Sequence, residues 1–337
     1  MTGPAGELNI DPAAAPDPDP AAEPAGFVVV VEPNDRIHFL DWGGPASDVA
    51  TEPASGPQRN PLSPGPPVLL IHGLSNTAWS WARVARRLCR VCRTVALDLR
   101  GHGLSDAPTE GYDAATFAAD AIAVAEGAGL LDAEPVVLAG HGFGAIVAAW
   151  TAATLGDRCG GLVLVDGGWE NLRESTGLEP NEFLPTIEEP PEVLRSMASF
   201  LADRAAFDAE TWDADEERAA RAAVVELPAG RVVASSRPHA TAASVAAMFE
   251  YDPLAVLPRV TAPIVALVAG GAESAARDAA LDAARAALVA TGRAPIAIAR
   301  FPANGHNLPR YRPAEVAAAI LAVPAGTTPP RDRPRAD

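Results

Sequence analysis

Short apolar runs alternate with helical segments along most of this 337-residue chain. From residue 68 onward the runs are continuously apolar, as in parallel strands that are buried on both faces. This alternation predicts an α/β fold, with a mostly parallel, eight-stranded sheet flanked by helices. The first two strands are joined directly, which predicts an antiparallel hairpin at one edge. The predicted strands cover residues 27–31, 36–42, 68–71, 93–98, 135–139, 161–166, 263–269 and 295–301, and the helices cover 77–89, 113–129, 143–156, 275–292 and 313–323.

Composition divides the rest of the chain into tails and insertions. Segments rich in Pro, Ala, Gly and acidic residues bury too little apolar surface to fold and predict disorder or flexible loops. We predict disordered tails at 1–26 and 324–337, a core domain at 27–167 and 246–323, a flexible insertion at 43–66, and a helix-rich insertion at 168–245.

One helical face of the long insertion is apolar. Val193, Met197, Phe200 and Leu201 lie on the same side of a predicted helix. We expect this stripe to pack the insertion onto the sheet domain; the alternative is that it lines a substrate pocket.

Charge and composition exclude several classes of function. The formal net charge is −17, which disfavours nucleic acids and anionic membrane surfaces as partners. The chain contains no lysine, which excludes Schiff-base chemistry and a phosphate-binding P-loop. The N-terminus lacks the basic and apolar regions of a signal peptide, and no apolar run has the roughly 20 residues of a membrane helix. We therefore expect a soluble, cytoplasmic protein that acts on a small molecule.

A glycine-dense turn follows the fifth predicted strand. The stretch "VVLAGHGFGAIVAAW" (136–150) reads as strand, turn and helix, with the spacing of the G-x-S-x-G nucleophile elbow. Gly142 occupies the position where that motif has serine. Because this position requires strained backbone with positive φ, glycine keeps the turn while removing the nucleophilic oxygen.

A histidine and two acids occupy plausible positions for general-base chemistry. His306 lies on a loop between the last predicted strand and the last helix, where it is the best candidate for a base. A base requires an orienting carboxylate, and Glu273, just past the seventh strand, and Asp166, at the end of the sixth, are both candidates.

Residues around the elbow suggest a pocket. His72 and Gly73 end the third strand, in "LLIHGLS", and the N–H of Leu74 can join that of Phe143 as an oxyanion hole. We assign His72, Gly73 and His141 to ligand binding; alternatively, His141 packs against neighbouring strands.

Cys89 and Cys92 form a C-x-x-C, but a zinc site needs two more ligands and the sequence has no second pair. The histidines show no ligand spacing, so we predict no metal, and we predict no cofactor.

Together these motifs resemble the α/β-hydrolase superfamily, in particular single-domain members with a helical cap after the sixth strand. The resemblance extends from about residue 27 to 323 and rests on "LLIHGLS", "LDLRGHGLSD", "GHGFG", "GLVLVD", "PIVALVAGGAES" and "NGHNLPRYRP". It implies that 168–245 is the cap and His306 the triad histidine. It favours Glu273 over Asp166 as the acid, because an acid after the seventh strand is the commoner arrangement. The departure is Gly142, so a covalent mechanism does not carry over.

Three functions remain open at this stage. In the first, His306 and a carboxylate act with an oxyanion hole on an ester, lactone or activated carbonyl compound, without a covalent nucleophile; lyase or cofactor-free oxygenase chemistry belongs to the same class. In the second, the chain is an inactive, hydrolase-like binding protein. In the third, it is a serine hydrolase that carries a serine-to-glycine substitution. Ser75 and Ser105, on neighbouring loops, are weak substitutes for the missing nucleophile. The retained histidine and acid favour the enzyme.

Overall fold

The computed structural model describes residues 7–45, 65–132, 134–271 and 274–323. Eight strands form one sheet in the order β1-β2-β4-β3-β5-β6-β9-β10, and two more form a separate hairpin. The strands are β1 (Ala25–Val31), β2 (Asp35–Asp41), β3 (Val68–Ile71), β4 (Thr94–Leu97), β5 (Val136–His141), β6 (Cys159–Val165), β7 (Val224–Glu226), β8 (Val232–Ala234), β9 (Ile264–Ala269) and β10 (Ala297–Phe301).

The predicted sheet topology is confirmed. β1 pairs antiparallel with β2 at one edge, and β2 pairs antiparallel with β4. Every other pairing in the sheet is parallel. The carboxyl ends of β3, β5, β6, β9 and β10 therefore meet at one edge, the position where ligands bind in open α/β sheets.

Helices cover both faces of this sheet. Leu69 and Ile71 contact one helical layer, while Val68 and Leu70, the alternate residues of β3, contact the other. Burial on both sides explains why β3 is apolar throughout. The helices are α1 (Ala82–Leu88), α2 (Ala114–Gly127), α3 (Phe143–Leu155), α4 (Leu172–Thr176), α5 (Pro180–Phe183), α6 (Met197–Phe207), α7 (Ala214–Ala222), α8 (Pro238–Glu250), α9 (Pro253–Val256), α10 (Ser274–Ala290), α11 (Leu308–Tyr311) and α12 (Pro313–Ala322). Within the described ranges, every helix is too short or too polar to cross a bilayer.

The N-terminal segment differs from the disordered tail predicted at 1–26. Residues from 7 onward run along the core: the Leu8 N–H donates to the Ile298 carbonyl at 2.6 Å, and Ala15 is buried. Arg86 of α1 donates to the Pro20 carbonyl and to Glu23. Composition did not predict this order, because the segment has few apolar side chains of its own and is held instead by hydrogen bonds from arginines of α1.

The segment between β6 and β9 contains α4 to α9 and the hairpin β7–β8. The apolar stripe does not pack onto the sheet domain as expected. Phe200 instead forms a small separate core with Val224 and Val232 of the hairpin, and Val193, Met197 and Leu201 pack against it. The hairpin was not predicted, and it supplies the surface that this stripe covers. The predicted flexible insertion lies mostly, and the C-terminal tail entirely, outside the described residues.

Candidate active site

The elbow between β5 and α3 has the backbone that its spacing predicts. Gly142 lies between the last residue of β5 and the first of α3, with φ 54° and ψ −116°. A Cβ on Gly140 would lie 2.0 Å from the Gly144 carbonyl oxygen, so strand and helix approach too closely there for a side chain. Positive φ and this close approach are the two demands that glycine meets at the turn.

His306 and Asp166 lie beside this elbow because β5, β6 and β10 end at the same edge of the sheet. The Gly142 N–H donates to the Val165 carbonyl at 3.0 Å, so Asp166, the next residue, lies beside the elbow. The loop after β10 carries His306. Its Nδ1 lies 2.6 Å from Asp166 Oδ2, and since a carboxylate can only accept, Nδ1 carries the proton and donates it. The Nε2 atom is then the basic nitrogen of the ring.

The basic nitrogen faces the vacant side of the elbow. A Cβ built on Gly142 would lie 3.1 Å from His306 Nε2 and 3.9 Å from the Gly73 Cα. His306 retains an exposed ring, with 61% of its side-chain surface accessible. The imidazole is therefore held by its Nδ1 atom and open at its Nε2 atom.

Asp166 is fixed by further donors. Its side chain is 2% exposed, and Oδ1 accepts hydrogen bonds from the Ala269 N–H at 3.0 Å and from Arg277 Nη2 at 2.9 Å. Burial alone raises the pKa of Asp166, but the hydrogen bond from His306 and the charge of Arg277 outweigh it and lower the pKa to about 2. Asp166 also has φ 48°, a strained value of the kind that clusters at functional sites.

This lowered pKa predicts a loss of stability in acid. The pKa is lower in the folded protein than the unfolded value of about 3.9, so Asp166 stabilises the fold above that value and loses its contribution as the pH falls toward 2. We expect the difference in unfolding free energy between wild type and Asp166→Asn to shrink by about 2 kcal/mol from pH 6 to pH 2. Urea unfolding at several pH values measures it.

The control for this experiment is Asp157→Asn, at an exposed position. Its difference from wild type is expected to stay constant over the same pH range. A constant difference for Asp166→Asn as well would contradict the assigned charge pairing.

Glu273, the preferred acid of the sequence analysis, lies outside the described residues. The structure pairs His306 with the alternative, Asp166. Asp166 and the position after β9 lie at the same sheet edge, so the sequence pattern could not separate the two acids.

The two predicted oxyanion donors lie on opposite sides of the elbow. Phe143 is the first residue of α3, so its N–H has no partner within the helix. Leu74 follows β3 and lines the same cavity as Gly142. Neither N–H donates a backbone hydrogen bond elsewhere in the described ranges. Both are available as donors, and their role as an oxyanion hole stays a prediction.

The histidines assigned to ligand binding have different surroundings. His72 is fully buried: Nδ1 donates to the Gly73 carbonyl at 2.7 Å, and Nε2 accepts from the Leu99 N–H at 3.0 Å. It fixes the loop after β3 and is not among the residues that line the cavity, whereas Gly73 and His141 are. His141 Nε2 donates to the His306 carbonyl at 3.0 Å. Burial, and secondarily His306, lower the pKa of His141 to about 3, so it holds the His306 loop as a neutral ring.

The two serines considered as substitutes for the missing nucleophile differ in whether their hydroxyl groups are already hydrogen-bonded. Ser105 Oγ donates to the Asp98 carbonyl and accepts from the His38 N–H, so it is committed to the loop. Ser75 lines the cavity and has φ 61°.

A cavity of about 990 Å³ lies between the elbow and the insertion. Its apolar wall comes from both parts of the fold and includes Leu74, Phe143, Ile146, Leu184, Phe200 and Met248. Among the described residues, no group of three His, Cys, Asp or Glu side chains is placed to hold a metal ion.

Sequence reasoning missed Arg277 and Glu170. Arg277, in the first turns of α10, donates Nη2 to Asp166 and Nε to Glu170 Oε1 at 3.0 Å, and its guanidinium lies over the Trp169 ring. Both side chains line the cavity. The available signal was weak: Arg277 is one of two arginines in the alanine-rich helix that follows the seventh sheet strand.

Known proteins resemble the chain over different lengths. Protein phosphatase methylesterase 1 of Mus musculus is 43% identical over 108 residues, 31% of this chain and 28% of that protein. An uncharacterized protein of Mycobacterium tuberculosis is 36% identical over 107 residues, 31% of this chain. The match spans 30% of the length of that relative.

Similarity to solved structures covers most of the fold. The crystal structure of E-2-(acetamidomethylene)succinate hydrolase matches 89% of this chain and 98% of its own, with 20% identity and a TM-score of 0.65. A thioesterase domain from the curacin biosynthetic pathway matches 88% of this chain and 99% of its own, with 20% identity and a TM-score of 0.62. At this identity these likenesses show the fold.

The model of the alpha/beta hydrolase family matches residues 68–319, a span that begins with β3, ends within α12, and includes the elbow, Asp166 and His306. The sheet order, the elbow and this match lead to one assignment: the chain belongs to the alpha/beta hydrolase family.

Proposed function

We propose that this protein is a hydrolase-like enzyme in which His306 and Asp166 form a general-base dyad that acts without a covalent nucleophile. The observation that carries the proposal is the position of His306. Its Nδ1 donates to Asp166, while its Nε2 lies 3.1 Å from the point where a Gly142 Cβ would lie. A serine here would carry its hydroxyl on that Cβ, and without it the space beside Nε2 is open to substrate or water.

The proposed reaction begins with the Nε2 atom of His306. It removes a proton from water, and the resulting hydroxide forms a bond to the carbonyl carbon of an ester or lactone. Asp166 holds the ring in the tautomer that accepts at Nε2 and stabilises the imidazolium. The carbonyl electron pair moves to oxygen, which the N–H groups of Leu74 and Phe143 stabilise. When the carbonyl re-forms, the bond to the leaving oxygen breaks and that oxygen takes up a proton, while His306 gives the proton that it received to solvent.

The charges of the cavity favour uncharged substrates. The arginines on its wall each have polar partners: Arg277 pairs with Asp166 and Glu170, Arg204 pairs with Glu189, and Arg310 donates to Thr211 and to the Asp208 carbonyl. Among the described lining residues no arginine is left for an anionic substrate. Together with the apolar wall, this supports a mainly apolar ester, lactone or activated carbonyl compound.

The absence of a covalent step gives a direct test. We expect p-nitrophenyl acetate to be hydrolysed without an initial burst of p-nitrophenol, because no acyl-enzyme accumulates. Rapid acid quenching followed by intact-protein mass spectrometry measures any adduct. Gly142→Ser supplies the positive control, and a stoichiometric acyl adduct on the unaltered protein would contradict the proposal.

A further inference from the structure

A largely buried acid, Glu216, lines the cavity on the side of the insertion. Glu216 lies in the first turn of α7, and its side chain is 12% exposed. It borders the same cavity as Gly142 and His306. The cavity therefore has a titratable group on its insertion wall as well as on its core wall.

The carboxyl group of Glu216 lies near the charge of Arg310 but has no hydrogen-bond donor of its own among the described residues. Its neighbours in α7 are committed elsewhere, since Asp215 accepts from Arg86 and Glu217 from Arg221. Arg310 Nε lies 3.5 Å from Glu216 Oε2 but donates its hydrogen bond to Thr211 Oγ1 at 2.8 Å. Within the described part of the chain, the Glu216 carboxyl accepts no hydrogen bond.

Its surroundings keep a proton on this group near neutral pH. Burial raises the pKa of Glu216 to about 7, against the opposing charges of Arg310 on α11 and Arg83 on α1. Asp213 and Asp215, at the start of α7, raise it further. At neutral pH a large fraction of the molecules thus has a protonated Glu216 facing the cavity. This carboxylic acid can donate a proton, whereas His306 accepts one.

We propose that Glu216 is the catalytic acid of this cavity, protonating the leaving oxygen of an uncharged alkyl ester or lactone while His306 activates water. The step extends the proposed function and balances: water gives one proton to His306 and its hydroxide to the carbonyl carbon. The bond from that carbon to the leaving oxygen breaks, and the oxygen takes the proton of Glu216. Solvent then returns a proton from His306 to Glu216. The products are a carboxylic acid and an alcohol.

This role makes the effect of Glu216 depend on the leaving group. An alkoxide is a poor leaving group and needs the proton, whereas p-nitrophenolate leaves without it. We expect Glu216→Gln to lower kcat about 100-fold for alkyl esters and less than about threefold for p-nitrophenyl esters. The fall in the alkyl ester rate above about pH 7 in wild type is expected to disappear in the variant.

The matched control is Glu217→Gln, in the same turn of α7, which is expected to retain both rates. Melting temperatures verify that both variants fold. Equal losses for the two ester classes in Glu216→Gln, or an unchanged alkyl ester rate and pH profile, would overturn the role of Glu216.

A binding measurement separates this inference from the proposed function. If the wild type hydrolyses neither ester class, the proposed function fails, and an uncharged aryl alkyl ketone then tests Glu216 alone. The acid form donates a hydrogen bond to the ketone oxygen, so affinity is expected to fall about tenfold from pH 6 to pH 8.5 in wild type and to stay constant in Glu216→Gln. The same pH dependence in both proteins would rule out the contact.

Discussion

Replacing Gly142 with serine is expected to raise the hydrolysis of p-nitrophenyl esters about 1000-fold and to introduce a burst of acyl-enzyme formation. The Cβ would lie 3.1 Å from His306 Nε2, which is tight, so the ring must shift by a few tenths of an ångström to accept the hydroxyl proton. Removing a serine nucleophile from a working triad costs about 10⁶ in turnover. Restoring it in an unadapted site should recover part of that factor. Initial rates and quenched-flow bursts measure it.

The chain contains a matched control for the backbone strain of this substitution. Gly156 has φ 56° and ψ −124°, close to the values of Gly142, and a Cβ there meets no atom within 4 Å. Serine at either position is expected to cost about 1–3 kcal/mol of stability, because both place a side chain at positive φ. Gly156→Ser should leave the ester rate unchanged. If Gly142→Ser is no faster than Gly156→Ser, the dyad is not aligned with the elbow. Turnover typical of an efficient serine hydrolase would instead support a recent serine-to-glycine substitution.

Replacing His306 with alanine is expected to lower the basal turnover of activated esters by about 100- to 10,000-fold. The imidazole is the proposed proton acceptor in the unaltered protein, so its loss leaves only binding and the oxyanion donors. The same change should abolish the gain from Gly142→Ser, since a nucleophile and its base act as a unit. Steady-state rates of the single and double variants measure both effects.

An exposed histidine provides the control for this change. His239, on α8, is outside the cavity and its Nε2 donates to the Pro108 carbonyl. His239→Ala should retain full turnover. A basal rate that His306→Ala leaves unchanged would contradict the dyad and favour the alternative of a ligand-binding protein.

The fold was predictable because its signals are local. β3 and its parallel neighbours are apolar throughout since helices cover both faces, and the elbow spacing fixes the backbone around Gly142 whatever side chain is present. These features are readable from a few adjacent residues.

The candidate site was only partly predictable because it depends on contacts between distant residues. In the sequence, Asp166 and Glu273 follow two strands that pair in the sheet, and the contact between His306 and Asp166 joins residues 140 positions apart. Arg277 is 111 residues from Asp166, and its place in an alanine-rich helix does not reveal that contact. The N-terminal segment is ordered by arginines of α1, which a composition rule does not consider.

The elbow backbone at Gly142 has a consequence for how the family is divided into functional groups. A glycine adopts φ 54° freely, so one substitution can remove or restore the nucleophile while the sheet, the loop of His306 and Asp166 remain in place. Under the proposed function, the overall shape that this chain shares with its family therefore does not reveal whether it reacts through a covalent intermediate. The residue at this one position would decide between the two mechanisms.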